Sequence, residues 1–193
     1  MTLRALVPLK SLALAKGRLA GVLTADERRR LALSMASHVL GVVRGAVDDA
    51  VLLTSEPIDD FPGARTMLDA TDELNANLAD AVRRLGGAVG DRVFIVFADL
   101  PALTPGDLAA LIDAAGQGLA IAHDRLGQGV NAVGFTLPCD VRFCFGPGSR
   151  QGFEAEAARL GRPAVLVDRP GLGLDIDDAE SLSLWKQRLE AGA

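Results

Sequence analysis

Asp99, Asp175 and Asp177 are the side chains with the strongest claim to chemistry. Asp99, in FADLPAL, follows the most apolar run of the chain, and Asp175 and Asp177 alternate in LGLDIDDAESL. Hard divalent cations prefer carboxylate oxygens, and residues two apart in an extended segment share one face. The three could therefore hold a cation against a chain of phosphates. Structural roles compete for two of them. Asp99 could serve as a turn residue in the ADLP bend. Asp177 with Glu180 has the spacing of a capping box for the last helix, which leaves Asp178 as a spare carboxylate.

Anion seats accompany these carboxylates. Lys10, Lys16 and Arg18 fall within PLKSLALAKGRL, and the chain has one other lysine, Lys186. A basic loop after the first strand suits nucleotide phosphates, although a solvated basic loop would read the same way. It holds no GxxxxGK[ST], so it is not a P-loop. In FGPGSRQGF, Gly146, Pro147 and Gly148 make a turn into a helix with Ser149 as the expected N-cap. Free backbone N–H groups there form an anion site, and a plain turn with a cap would use the same residues. In HDRLGQGVNAVGF, Asp124, Gly127, Gly129 and Asn131 form a loop whose glycines permit close backbone approach to a ligand. His38 and His123 receive no role. Cys139 and Cys144 lack the partners of a zinc site or a disulfide framework and read as small apolar fillers in a reducing cytoplasm.

These side chains must be positioned by alternating strands and helices. Strands are predicted over 3–9, 50–54, 64–68, 92–98, 118–123, 131–137 and 164–168 from short apolar or β-branched runs. RVFIVFA, apolar on both faces, is the expected central parallel strand. Helices are predicted from the Thr24–Glu27 capping box to about Arg44, over 71–85 up to Gly86-Gly87, from Thr104-Pro105, over 149–160 and over 178–190. This rhythm implies an α/β protein with a mostly parallel sheet between two helical layers. Ligands of such sheets sit beyond the carboxyl ends of the strands. Asp99 falls just past one of those ends.

Size and composition fit one domain spanning 1–193, large enough for a substantial core. A net charge of −5 argues against a nucleic-acid partner, which would select a basic face. Arg4, Pro8, Lys10, Lys16 and Arg18 break up the apolar N-terminus, so neither a membrane span nor a cleaved leader is expected. A cytoplasmic location is the expectation.

Taken in order, PLKSLALAKGRL, LNANLADAV, ADLPAL, HDRLGQGVNAV, FGPGS and LDIDDAESL resemble the guanylyltransferases that make the activated phospho-acid of coenzyme F420 biosynthesis. That family comprises the 2-phospho-L-lactate and phosphoenolpyruvate guanylyltransferases. The resemblance implies a three-layer αβα, GT-A-like nucleotidyltransferase fold, related to the molybdenum-cofactor nucleotidyltransferases. It implies Mg²⁺ on Asp99, Asp175 and Asp177, and catalytic parts for Asp99, Lys16 and Arg18. It further implies GTP on Pro8, Lys10, Lys16, Arg18 and Asn75, and a small phosphorylated carboxylic acid on Asp124, Gly129, Val130, Asn131, Gly146 and Ser149. The family's GTGTN is Gly127-Gln128-Gly129-Val130-Asn131 here, without either threonine. The acceptor therefore stays open among 2-phospho-L-lactate, phosphoenolpyruvate and 3-phosphoglycerate, and a homodimer is left open too. Two rivals stand beside this reading. One is a cytidylyl- or molybdopterin-type transferase, although the LAGG-type loop usual there is absent; the other is a GTP-binding regulator without an acceptor site.

Overall fold

The computed structural model describes residues 1–9 and 16–192. Lys10, with the remainder of 10–15, lies outside the described residues. Seven strands form one sheet: β1 (Leu3–Leu9), β2 (Asp49–Thr54), β3 (Arg65–Leu68), β4 (Arg92–Val96), β5 (Leu119–His123), β6 (Val130–Thr136) and β7 (Ala164–Leu166). Their spatial order is β3-β2-β1-β4-β6-β5-β7. Every pairing is parallel except those of β6, which runs against both β4 and β5. The reversal follows from loop length. A link as short as 124–129 cannot make a crossover, which needs a dozen or more residues, so β5 and β6 form a hairpin.

Among the described residues the α-helices are α1 (Ala25–Arg44), α2 (Leu74–Leu85), α3 (Pro105–Ala115), α4 (Ser149–Arg159), α5 (Pro170–Gly173) and α6 (Ala179–Gly192). Alternation along the strands sorts the core into two clusters. Ala5, Val7, Phe94 and Val96 pack with Val39, Leu40, Leu108 and Leu111 of α1 and α3. Leu6, Val93, Ile95 and Phe135 pack with Leu78, Ala81, Phe153 and Ala157 of α2 and α4. β4 is buried on both faces from Val93 to Val96, which is why its sequence shows no polar alternation. Phe94 sits opposite Gly134 of β6, where a Cβ would lie 2.8 Å from its ring. The glycine makes room for the ring in the middle of the sheet.

The helix starts differ in their chemistry. Thr24 with Glu27, and Thr104 with Asp107, form complete capping boxes, and Pro105 takes the first helical position of α3. The expected Asp177–Glu180 box does not form. Asp178 Oδ1 instead accepts from the Ser181 N–H at 2.8 Å, while Ser181 Oγ accepts from the N–H groups of Asp177 and Asp178. α2 starts at Leu74 rather than Thr71, because buried Asn77 bonds the Thr71 N–H, hydroxyl and carbonyl and closes a turn ahead of the helix. Ser149 is not the cap of α4 either. Gly148, left-handed at φ 72°, holds that position with no side-chain hydrogen bond. Four-residue α5 carries no predicted signal. Among the described residues no helix is long and apolar enough to cross a membrane.

Candidate active site

β1 to β5 end along one edge of the sheet, and the chemistry gathers there. Lys16 follows β1 and opens a short 3₁₀ turn, Gly17–Leu19. Its Nζ donates to Asp99 Oδ2 at 2.6 Å and to Asp177 Oδ1 at 2.8 Å. Asp99 lies three residues beyond β4, and its backbone carbonyl accepts from Ile176 N at 3.2 Å. That bond docks the 174–177 segment against the end of β4. Leu174 and Ile176 are buried, which leaves Asp175 and Asp177 on the opposite face of this stretch. Because Asp178 caps α6, the Asp177 carboxylate is free to meet Lys16.

The electrostatics of this cluster are strained. Burial works to lower the pKa of Lys16, but the charges and hydrogen bonds of Asp99 and Asp177 outweigh it, and the net shift is upward. Burial raises Asp175, and the nearby charge of Asp99 raises it further, against a hydrogen bond from Asn131. Lys16 also adopts φ 54°, the one non-glycine positive φ among the described residues. Such conformations cost about 1–3 kcal/mol and persist where the surroundings enforce them.

A divalent cation fits these residues by one further observation. Asp99 Oδ1 is buried and has no hydrogen-bond partner. A buried carboxylate oxygen without a donor costs free energy that a bound cation would recover. Among the described residues no three His, Cys, Asp or Glu side chains already enclose an ion position. The Lys16 ammonium instead supplies the positive charge between Asp99 and Asp177.

The remaining nucleotide candidates divide. Pro8 lies at the carboxyl end of β1, beside Leu53 of β2. Arg18 is exposed, with no hydrogen bond or ion pair among the described residues, so its guanidinium is open to an anion. Asn75 is committed elsewhere. Its Nδ2 donates to Phe145 O at 3.1 Å and its Oδ1 accepts from Phe145 N at 2.9 Å. Asn75 thus fixes the FGPGS turn to the start of α2.

The acceptor candidates form two facing loops. Both Asp124 oxygens accept loop N–H groups, from Gln128 and Gly129 at 2.9 Å each. A Cβ on Gly129 would meet Asp124 Oδ2 at 2.8 Å, so the glycine permits this closure. Asp124 therefore organises the loop. Val130 is buried within the α2/α4 cluster. Asn131, also buried, donates to Leu172 O at 2.9 Å and to Asp175 Oδ1 at 3.2 Å. It orients a carboxylate of the acidic cluster. Across from this loop, Gly146 and Gly148 have positive φ, Gly146 faces open space, and Ser149 is buried at the first turn of α4.

Sequence reasoning missed two contributors. Phe97, two residues before Asp99, packs against Phe145 with ring centroids 4.8 Å apart and planes tilted by 41°, and Phe145 packs edge-on against Phe153 of α4 at 4.8 Å. This aromatic column couples the FGPGS turn to the acidic cluster. Arg150 is the second; it joins the two loops through Gly127 O at 3.2 Å. The residues left without roles remain so. His38 and His123 each bond a backbone carbonyl, and burial pushes the Cys144 thiol up to about 11, which keeps it protonated.

Carboxylates and a lysine converge beyond the strand ends of a mostly parallel sheet, where open α/β sheets seat their ligands. Solved structures agree on the fold. A nucleotidyl transferase from Methanothermobacter thermautotroptrophicus superposes with a TM-score of 0.69 at 17% identity, over 100% of this chain and 99% of that one. A Desulfovibrio desulfuricans G20 protein suspected of being a nucleotide-diphospho-sugar transferase reaches 0.81 at 18% identity, over 97% and 88%. The chain belongs to the guanylyl transferase CofC-like family, whose model matches residues 3–184. Among its relatives are phosphoenolpyruvate guanylyltransferases of Chloroflexus aurantiacus, 37% identical over 93% of this chain and 92% of that one, and of Sphaerobacter thermophilus, 37% identical over 100% and 97%.

Proposed function

We propose that the chain moves GMP from GTP onto the phosphate of phosphoenolpyruvate and releases pyrophosphate, as a step of coenzyme F420 biosynthesis. 2-Phospho-L-lactate and 3-phosphoglycerate are the alternative acceptors. The observation that carries this reading is the meeting of Asp99 and Asp177 on one lysine, with Asp175 beside them, in a chain of this family.

A phosphate monoester has a second pKa near 6, so the acceptor arrives largely as the dianion and needs no general base. An acceptor phosphate oxygen bonds to the α-phosphorus of GTP, and the bond from that phosphorus to the oxygen bridging to the β-phosphate breaks. The electron pair leaves with pyrophosphate. The obstacle is repulsion between two polyanions, and that is what the residues address. A magnesium ion held by Asp99, Asp175 and Asp177 would neutralise triphosphate charge. Lys16 exchanges its carboxylate partners for phosphate oxygens as the nucleotide enters. Arg18, with Lys10, holds the departing pyrophosphate. The Gly146 turn and the Ser149 hydroxyl receive the acceptor, and Asn75 and Asp124 hold the two acceptor loops in shape.

The test crosses four nucleoside triphosphates with the three phospho-acids in the presence of Mg²⁺ and reads pyrophosphate release. GTP with phosphoenolpyruvate should be the most productive pair. Binding of GTP without pyrophosphate from any acceptor would replace this reading with that of a GTP-binding regulator.

A further inference from the structure

The acceptor proposed above carries two anions, and the phosphate is committed to the reaction. Its carboxylate needs a partner of its own. The threonines of the family pattern are absent from Gln128 and Val130, and the Val130 side chain is buried among apolar groups. The polar side chain that spans the two acceptor loops is Arg150. Its backbone N–H donates to Gln128 O at 3.2 Å, its Nη1 to Gly127 O at 3.2 Å, and its Nε to Glu154 Oε1 at 3.0 Å. Nη2 has no hydrogen bond among the described residues. The side chain is 31% exposed, so the guanidinium is held on two sides and reaches solvent.

Two features tie Arg150 to the reacting centre. It follows Ser149 directly, and the turn before it is coupled to the Asp99 segment through the tilted Phe97–Phe145 ring contact. It also touches Gly127, whose φ of 67° sets the bend of the facing loop, and a Cβ on that glycine would lie 2.9 Å from Nη1. The loop is shaped to admit this guanidinium. We infer that Arg150 binds the carboxylate of the acceptor through its unspent N–H groups and thereby selects phospho-acids over simple phosphate esters. A planar guanidinium suits a carboxylate better than a hydroxyl pair does, and it carries the charge that Gln128 lacks. The inference rests on the guanylyltransferase reading.

The experiment pairs a side-chain deletion with a ligand deletion. Wild-type protein, Arg150→Gln and Arg150→Lys are assayed for pyrophosphate release with GTP and Mg²⁺. The acceptors are phosphoenolpyruvate and vinyl phosphate, which lacks the carboxylate. Wild-type turnover of phosphoenolpyruvate tests the underlying reading by itself. Given that activity, Arg150→Gln should raise KM for phosphoenolpyruvate by about 10- to 100-fold, the weight of one charge-assisted hydrogen bond. KM for GTP should stay within about twofold, and Arg150→Lys should restore part of the loss. With vinyl phosphate, kcat/KM of Arg150→Gln should match wild type. An equal loss on both acceptors, or an unchanged KM for phosphoenolpyruvate, overturns the inference and leaves Arg150 as a latch between loops. Thermal melting of each variant separates misfolding from lost recognition.

Discussion

The two faces of the sheet start their helices in opposite ways. On one face α1 and α3 begin with complete capping boxes, in which Thr24 and Thr104 accept from the third helical amide and the acid there returns the bond. On the other face α2 and α4 begin at Glu73 and Gly148 with no side-chain cap. A missing cap costs about 1 kcal/mol, so two bare starts on one face call for a reason. Unspent N–H groups and the positive end of the helix dipole are what an incoming anion requires. The bare face also holds the FGPGS turn, the Asn75–Phe145 tie and Arg150. The α1/α3 face is built for stability, whereas at the start of α4 the Ser149 and Arg150 N–H groups donate to Gly146 O and Gln128 O, and among the described residues the Gln151 N–H is left for a ligand. Between them, the acidic cluster keeps one carboxylate oxygen without a donor.

The largest test addresses that cluster. Asp99→Asn should lower pyrophosphate release by about 10³-fold, equivalent to roughly 4 kcal/mol of transition-state stabilisation, with a melting temperature unchanged or slightly raised. Activity within tenfold of wild type would remove Asp99 from the metal set. Next comes the bare start of α4. Gly148→Asp places a carboxylate where the acceptor anion is proposed to sit, and both Asp and Asn tolerate left-handed backbone. KM for phosphoenolpyruvate should rise about tenfold in Gly148→Asp and far less in Gly148→Asn, with KM for GTP unchanged in both. Equal effects of the two would show that no anion is read there.

Thr104→Ala probes the opposite face. It removes a cap from α3 and should cost about 1 kcal/mol, which is roughly 2–4 °C in melting temperature for a chain of this size. Steady-state constants should not move, since neither Thr104 nor Asp107 touches the acidic cluster. A change in acceptor KM would blur the division of labour between the faces.

Much of this arrangement was readable from the chain, and the failures have physical causes. The Thr24 and Thr104 starts were legible because a capping box is local, with all its partners within four residues. The end of the chain misled for the same reason. Asp177 and Asp178 are adjacent and both have a polar partner three residues on, so spacing could not decide between Glu180 and Ser181. The structure gives the cap to Asp178, and that choice frees Asp177 for Lys16, 161 positions away in the chain. Long-range pairs of this kind leave no periodic signal, and nothing in the sequence reading paired Lys16 with Asp177. The reversal of β6 was hidden because alternation is identical in parallel and antiparallel strands. Arg150 was passed over because an arginine on a helix reads as solvated surface until its bond to Gly127 is seen.

The smallest effect is also the one that separates the faces most cleanly. Glu27 is held below the usual carboxylate range, first by the Thr24 N–H and then by the Thr24 hydroxyl, and Asp178 is lowered chiefly by the Ser181 N–H. A carboxyl group whose pKa is depressed by folding contributes stability that is present above its unfolded value, near 4, and is lost as pH falls through the folded one. Protection of the first-turn amides of α1 and α6 against hydrogen exchange, corrected for intrinsic rates, should therefore decline between about pH 5 and 3. The first turn of α4 has no capping carboxylate to protonate, so its protection should stay flat over the same interval. A parallel decline in α4 would mean that a carboxylate already engages its first turn, and the case for an anion seat on that face would lose its physical basis.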